Sequence, residues 1–136
     1  MTQEEKQILL KDLCARLPYG VIMHHKNANQ DFNLVAVFND GRIGVSTLKE
    51  NVELTPTSIN ECKPYLRPMS SMTEEEHDDA YANEVVMSLN PYTERYAICA
   101  LSAKGYDWLN EHHFDYRGLI EKGLALEAPD GMYKIE

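Results

Sequence analysis

The chain of 136 residues has three cysteines, one tryptophan and no apolar run near the roughly 20 residues that a bilayer span needs. Cys14, Cys62 and Cys99 are odd in number, lie far apart and form no Cys-x-x-Cys pair. This argues against a disulfide framework or a zinc ribbon and favours buried structural thiols. The first residues are acidic ahead of a short apolar cluster, unlike a secretory signal. We therefore expect a cytoplasmic protein that does not enter a membrane.

Basic residues are also scarce, since 13 lysines and arginines face 22 acidic residues and give a net charge of −9. The basic residues are scattered singly, so we expect no direct binding to nucleic acid. A basic protein partner, or simply solubility, explains the acidic balance better. Walker, Rossmann, EF-hand and His-Glu-x-x-His patterns are all missing. The sequence thus predicts no cofactor and no metal site.

The N-terminal half predicts one helix followed by a sheet. Residues 2–16 have helical apolar spacing, Thr2 and Glu5 form a capping-box pattern, and Pro18 ends the helix. Strand-like segments follow at residues 19–25, 32–38 and 42–48, with a possible short fourth strand at 51–54. The tight turn at residues 39–41 contains Asp-Gly, a strong hairpin signal. An antiparallel meander packed on the first helix is the economical arrangement.

The C-terminal half predicts mainly helix. Residues 63–69 contain two prolines and read as a rigid, extended crossing from the sheet. Thr73 with Glu76 begins a second helix, on which a stripe of apolar residues would be buried before Asn90-Pro91 stops it. The members of that stripe are Tyr81, Val85 and Leu89.

Three further segments complete the prediction. Residues 96–101 fit either a strand or a helix. We expect Ser102 to cap a third helix that runs to about His112, and residues 117–122 to form one more helical turn closed by Gly123. The predicted fold is α+β, in one domain over residues 1–136. A small antiparallel sheet of three to four strands carries an N-terminal helix and a C-terminal helical part packed on it.

Candidate functional residues concentrate in the last quarter of the chain. Rings and guanidinium groups that could anchor a protein partner are Tyr65, Arg67, Trp108, Tyr116 and Arg117. An internal ion pair of Arg67 or Arg117 is an equally good interpretation. The best enzymatic candidates are His112, His113 and Asp115, because a histidine that ends a helix is well placed for acid–base work. The alternative is that one histidine caps the helix end while Phe114 enters the core.

Two other polar groups carry weaker signals. His24 and His25 are adjacent in a predicted strand and point to opposite faces, so they are poorly placed to chelate one ion. His77, Asp78 and Asp79 contain ligand-type side chains, but a solvated, acidic helix start explains them better.

Two blocks of the sequence resemble a known group of proteins. KPYLRPMSSMTEEE at residues 63–76 and WLNEHHFDYRGLIEKGLALEAPDGM at residues 108–132 are similar to segments shared, in the same order, by small uncharacterised proteins of gut anaerobic bacteria and their phages. The blocks cover about a third of the chain. The resemblance implies a mobile-element or prophage accessory gene, and it carries no activity or site residue onto this chain.

Three functions are consistent with these patterns. The first is a non-enzymatic interaction module that docks a host or phage protein through the anchors named above. The second is a small hydrolase or metal-dependent enzyme that uses His112, His113 and Asp115. The third is an acidic decoy that imitates nucleic acid. We expect the first, because rings and arginines cluster while a catalytic pattern is missing.

Overall fold

A computed structural model describes residues 1–48, 54–93 and 95–133, and within them the chain forms three α-helices and eight β-strands. The helices are α1 (Gln3–Arg16), α2 (Glu74–Ala82) and α3 (Ala103–Glu111). The first five strands are β1 (Ile22–His25), β2 (Gln30–Val37), β3 (Arg42–Thr47), β4 (Thr55–Ser58) and β5 (Cys62–Leu66). The last three are β6 (Val85–Asn90), β7 (Arg95–Leu101) and β8 (Leu126–Glu127). No helix of this described part is long and apolar enough to cross a bilayer.

The main sheet has six strands in the order β4-β3-β2-β1-β5-β8. The prediction of three to four strands is therefore wrong in number, although its meander of β1, β2 and β3 is confirmed. Gly41, at φ 88°, allows the tight turn between β2 and β3. Only β8 runs parallel to its neighbour, β5. The possible fourth strand at residues 51–54 lies almost wholly outside the described residues, and β4 begins after it.

Helix α1 packs against the main sheet and closes the first of two cores. The predicted capping box at its start is confirmed, since Thr2 and Glu5 bond reciprocally. Its apolar side chains pack against inward-facing side chains of β1, β2, β3 and β5. The buried members of this first core are Leu9, Leu13, Val21, Met23, Leu34, Ile43, Val45, Ile59, Cys62, Leu66, Leu119, Leu124 and Ala125.

The second core lies between α2, α3 and a separate two-stranded sheet, the β6–β7 hairpin. Gly105 allows the close approach of α3, because a Cβ there would lie 2.5 Å from the side chain of Leu101 and 2.9 Å from the carbonyl oxygen of Glu84. The buried members of this core are Met72, Ala80, Val85, Trp108, Leu109 and Phe114. The chain thus folds as a six-stranded sheet with its helix plus a smaller unit built on a hairpin.

Helix α2 is shorter than the sequence predicts. Its capping box of Thr73 and Glu76 is confirmed, but the helix ends at Ala82 and the chain turns through Glu84 at φ 66° into β6. The expected buried stripe is therefore wrong: Val85 is buried, but in a strand, and Tyr81 is 72% exposed.

Three other predictions have clear outcomes. The extended segment from residue 63 is confirmed as extended, but it is mostly β5, an inner strand paired with β1 and β8. Residues 96–101 belong to strand β7. Ser102 does cap α3, and its hydroxyl accepts from the N–H of Gly105.

The C-terminal tail returns to the main sheet through Tyr133. Its hydroxyl accepts a hydrogen bond of 2.9 Å from the Ile22 N–H and donates one of 2.8 Å to the Tyr65 carbonyl. The hydroxyl oxygen of Tyr133 therefore links Tyr65 of β5 to Ile22, the first residue of β1. This link lies one residue beyond the pair of Met23 and Pro64, and Pro64 has no N–H with which to bond β1. Burial raises the pKa of Tyr133 to about 12, so the hydroxyl stays protonated and able to donate.

Candidate functional site

The loop after α3 is fixed to the end of β5 by backbone hydrogen bonds. The Arg67 N–H donates to the His113 carbonyl at 2.7 Å, and the Asp115 N–H donates to the Arg67 carbonyl at 2.8 Å. These two bonds extend the sheet by one residue and place Phe114 in the interior, fully buried. Of the predicted site residues, Trp108 and Arg67 contact this buried ring.

Trp108 lies inside this arrangement. Its indole N–H donates to Asp79 at 2.8 Å, and its ring stacks between Phe114 and His112 at centroid distances of 5.7 and 4.1 Å. Only 4% of the residue is exposed. Trp108 therefore joins α3 to α2 in this conformation, and its ring adds no accessible area for a partner.

Arg67 is neutralised within the molecule. Its guanidinium makes two hydrogen bonds of 2.7 Å to Glu76 and lies 4.2 Å from the centre of the Phe114 ring. Side-chain hydrogen bonds from Arg67 are the main reason why the pKa of Glu76 falls to about 2. The internal ion pair that the sequence left open is thus present.

Arg117 and Tyr116 surround a buried ion pair of α1. Arg16 and Asp12 are fully buried and bond at 2.7 Å, and Arg16 also donates to the Phe114 carbonyl at 2.7 Å. Arg117 adds a second charge, with its Nε 3.2 Å from the other Asp12 oxygen but without hydrogen-bond geometry. Both guanidinium groups lie 5.2 Å from the centre of the Tyr116 ring.

Tyr65 lies apart from the other four predicted anchors. Its hydroxyl donates to Asp31 at 3.0 Å, and the same oxygen of Asp31 lies 2.9 Å from Nδ1 of His24. The ring of Phe114 thus lies between Arg67 and Trp108 in the chain of contacts, and the ring of Tyr116 contacts both Arg117 and Arg16. The Tyr65 side chain is directed toward β2 instead. A role of these residues in partner binding stays a prediction.

The three catalytic candidates are close in space but do not form a proton-transfer arrangement. Both carboxylate oxygens of Asp115 accept from backbone N–H groups, those of Leu119 and Ile120, at 2.8 and 2.9 Å. Asp115 therefore shapes the following turn instead of orienting a histidine ring. His112 caps α3, with its Nδ1 2.8 Å from the Trp108 carbonyl oxygen.

His113 is buried and stacks on Tyr133 at a centroid distance of 3.7 Å. Burial, with the nearby charge of Arg16, lowers its pKa to about 4, so the ring is neutral at physiological pH. A neutral base of this kind could accept a proton only from a group that reaches the interior. The contacts around it favour a structural role.

The His113 pKa predicts how stability changes with pH. Between about pH 6.5 and pH 4 the unfolded chain binds a proton at this residue and the folded chain does not, so acidification through that window destabilises the fold by up to about 3 kcal/mol. His113→Asn suits the left-handed backbone there, at φ 64°, and should flatten the pH dependence of the unfolding free energy.

The measurement is urea unfolding at several pH values for both proteins. Glu76 titrates lower: its depressed pKa stabilises the fold above about pH 4.5, and that contribution is lost as the pH falls toward about 2. Equal slopes for the wild type and the variant above pH 4.5 would contradict the assignment.

Metal binding finds no support in the described part of the chain, where no group of three or more histidine, cysteine or carboxylate side chains could hold an ion. His24 and His25 point away from each other as expected. His24 lies beside Asp31, whereas His25 contacts Thr57 at 3.2 Å and Glu61 at 3.3 Å.

The β6–β7 hairpin is the apolar surface that the sequence analysis missed. Its inner face enters the second core at Val85, Met87, Ile98 and Leu101. Small or apolar side chains are exposed on its outer face, among them Val86, Ser88, Ala97, Cys99 and Ala100. Leu89 is 51% and Tyr92 95% exposed toward the tip. The two adjacent valines at residues 85 and 86 are β-branched, and this was the signal in the sequence that favoured a strand over the predicted helix.

The cysteines differ in accessibility. Cys62 is buried, and burial raises its pKa to about 11, so it is a poor nucleophile. Cys14 and Cys99 are exposed. Cys99 lies on the outer face of the hairpin, where its thiol donates to the Ser88 hydroxyl at 3.0 Å. The rate at which a thiol reagent modifies Cys99 therefore measures how accessible that face is.

Comparison with known proteins adds no relative: no protein-family model, no curated protein and no solved structure matches the chain.

Proposed function

We propose that the protein is a non-catalytic interaction module that docks a protein partner through the β6–β7 hairpin. The observation that carries this proposal is the group of exposed, uncharged side chains on the outer face of the hairpin, which are Val86, Ser88, Ala97, Cys99 and Ala100. Several exposed apolar side chains on one face are typical of a contact surface, whereas single exposed apolar residues are ordinary. The sheet topology adds to the argument, because within the described residues no third strand pairs with either edge of the hairpin.

The arrangement in the last quarter supports a binding role over an enzymatic one. Asp115, His112 and His113 are each engaged in local structure, and the pKa of the buried thiol is raised. The alternative of an enzyme that uses these residues therefore lacks a positioned acid–base pair. The mobile-element context stays a proposal that rests on the two sequence blocks alone.

The decisive experiment compares partner capture by two matched variants. Val86→Asp introduces a charge on the outer face of the hairpin, and Leu48→Asp introduces the same charge at an exposed apolar residue after β3. We expect a specific partner, captured from an extract of the native host, to be retained by wild type and Leu48→Asp. Its recovery with Val86→Asp should fall at least about tenfold, because a buried charge at an interface costs more than 1.4 kcal/mol.

Two further measurements test whether each variant is folded and whether the partner covers the hairpin. Emission from Trp108, the only tryptophan, reports whether the second core is intact in each variant. Maleimide labelling of Cys99 in a Cys14→Ser background should slow when the purified partner is added. A captured protein that binds Val86→Asp as well as it binds wild type would contradict docking at the hairpin.

A further inference from the structure

The C-terminal tail, residues 126–133, is attached to the rest of the protein at its two ends. All of its residues are at least partly exposed, whereas Leu124 and Ala125 just before it belong to the first core. At the near end β8 pairs with β5 over only two residues, and the Ala128 N–H donates to the Leu66 carbonyl at 2.8 Å. At the far end the attachment is the side chain of Tyr133.

A cavity of about 350 Å³ lies between this tail and the start of α2. Glu127, Pro129 and Asp130 line it on one side, and Arg67 and Thr73 on the other. The tail therefore spans a space between its two attachments and buries little apolar area along the way. Segments of this kind are the ones that open locally while the rest of a fold stays intact.

The ring of Tyr133 covers His113. The two rings stack at a centroid distance of 3.7 Å, and His113 is only 6% exposed. Nδ1 of His113 has no hydrogen-bond partner within the described residues. One tyrosine side chain thus fastens the tail and also shields an unpartnered ring nitrogen from water.

The charges around His113 oppose a positive charge on its ring while the tail is in place. Arg16 of α1, His112 of α3 and Arg67 at the end of β5 all lower its pKa. The nearby carboxylates are bonded to other groups, which are Arg16 for Asp12, Tyr65 for Asp31, Arg67 for Glu76, and the Leu119 and Ile120 N–H groups for Asp115. A proton taken up by the covered ring would therefore lack a counter-charge.

We propose that the C-terminal tail is a clasp that opens as a local unit when His113 takes up a proton. Opening moves the Tyr133 ring away, so that water solvates the imidazolium and weakens its repulsion from the arginines. It also releases the Leu66 carbonyl and the edge of β5 that β8 occupies. The inference is independent of docking at the hairpin.

The size of the effect follows from proton linkage. With the tail open, the pKa of His113 returns toward about 6.5, whereas with the tail closed burial keeps that pKa at about 4. The open state thus binds the proton more tightly, and opening becomes more favourable as the pH falls between these values. Between about pH 7.5 and pH 5 the opening equilibrium constant should rise about 30-fold.

Amide hydrogen exchange followed by NMR measures this opening. The Ala128 N–H reports the tail, and the Leu34 N–H, which donates to the Val21 carbonyl at 2.9 Å, reports the main sheet. After correction for the intrinsic exchange rate at each pH, the protection of Ala128 should fall about 30-fold over that range. It should also be lower than that of Leu34 and respond little to urea, because a local opening exposes little surface. Equal protection and equal urea slopes at the two amides would mean that the tail leaves only with the whole fold, which would overturn the proposal.

His113→Asn tests the proton acceptor, because asparagine tolerates the backbone at φ 64° and does not titrate. In this variant the protection of Ala128 should change less than about threefold over the same pH range. His25→Asn is the matched control, since it removes a histidine whose contacts are Thr57 and Glu61. It should keep the wild-type dependence. A wild type without the pH dependence, or a His113→Asn protein that retains it, would contradict the proposal.

Tyr133→Ala tests whether this ring is the clasp. It removes the stack on His113 and both hydrogen bonds, so the protection of Ala128 should fall at least about tenfold at neutral pH. Its pH dependence should nearly vanish, because His113 is then uncovered whether or not the tail is paired. Leu34 should remain better protected than Ala128, which shows that the main sheet is intact. Unchanged protection of Ala128 would show that another contact holds the tail and would overturn the clasp.

Discussion

Arg16→Met should destabilise the fold by about 3–5 kcal/mol, because it leaves Asp12 buried with only the poorly oriented Arg117 as a counter-charge. The substitution also removes the donor to the Phe114 carbonyl, 98 residues away along the chain. That carbonyl belongs to the loop that completes the second core. Urea unfolding at neutral pH measures the loss.

A second ion pair in the same protein is the natural control. Arg42 bonds to Asp40 at 2.8 Å, but both side chains are about half exposed. Arg42→Met should leave the unfolding free energy unchanged within error, because water and salt screen an exposed pair. If Arg16→Met were as mild as Arg42→Met, the buried pair would not be what fixes the loop to α1.

Phe114→Ala should cost about 3–5 kcal/mol, the range for deleting a fully buried aromatic ring. The ring contacts both the Trp108 ring and the Arg67 guanidinium, so its deletion removes both of these contacts. Because Trp108 is the only tryptophan, its emission should shift to longer wavelength as water gains access.

Phe38→Ala makes the same chemical change at the end of β2, where the ring is only half-buried. We expect a clearly smaller loss of unfolding free energy and no shift of the Trp108 emission. Similar losses for the two variants would mean that the ring of Phe114 is not central to the second core.

Local signals were sufficient to predict much of the N-terminal half and the helix starts. The capping boxes at Thr2 and Thr73 each consist of residues three apart, so they are visible in sequence and present in the structure. The turn at Gly41 is equally local. The pairing of β8 with β5 joins residues about 60 apart, and neither a period nor a turn motif specifies such a partner.

The error in α2 has a specific physical cause. Residues 81, 85 and 89 are spaced by four, as on a helix, but residues 85, 87 and 89 are also spaced by two, as on a strand. The deciding feature is the left-handed backbone of Glu84, a non-glycine residue whose conformation sequence does not reveal. The hairpin surface was missed for this reason.

The candidate anchors were identified by residue type alone, which does not reveal the contacts that these side chains make within the molecule. Rings and arginines do cluster in the last quarter, as expected, yet Arg16 was missing from the predicted set. Its importance depends on Phe114, which only the tertiary structure brings near. Burial of an arginine at a helix end runs against its usual exposure, so composition gave no warning.

The hydroxyl of Tyr133 has a consequence for how the chain folds during synthesis. The junction between β5 and the start of β1 needs that oxygen, which becomes available only after the chain has been made at least as far as residue 133. At about 5–20 residues per second, ribosomes leave the first strands without this link for several seconds. Nascent chains that stop short of Tyr133 should therefore keep the Ile22 amide unprotected from solvent exchange, even where the meander has already formed.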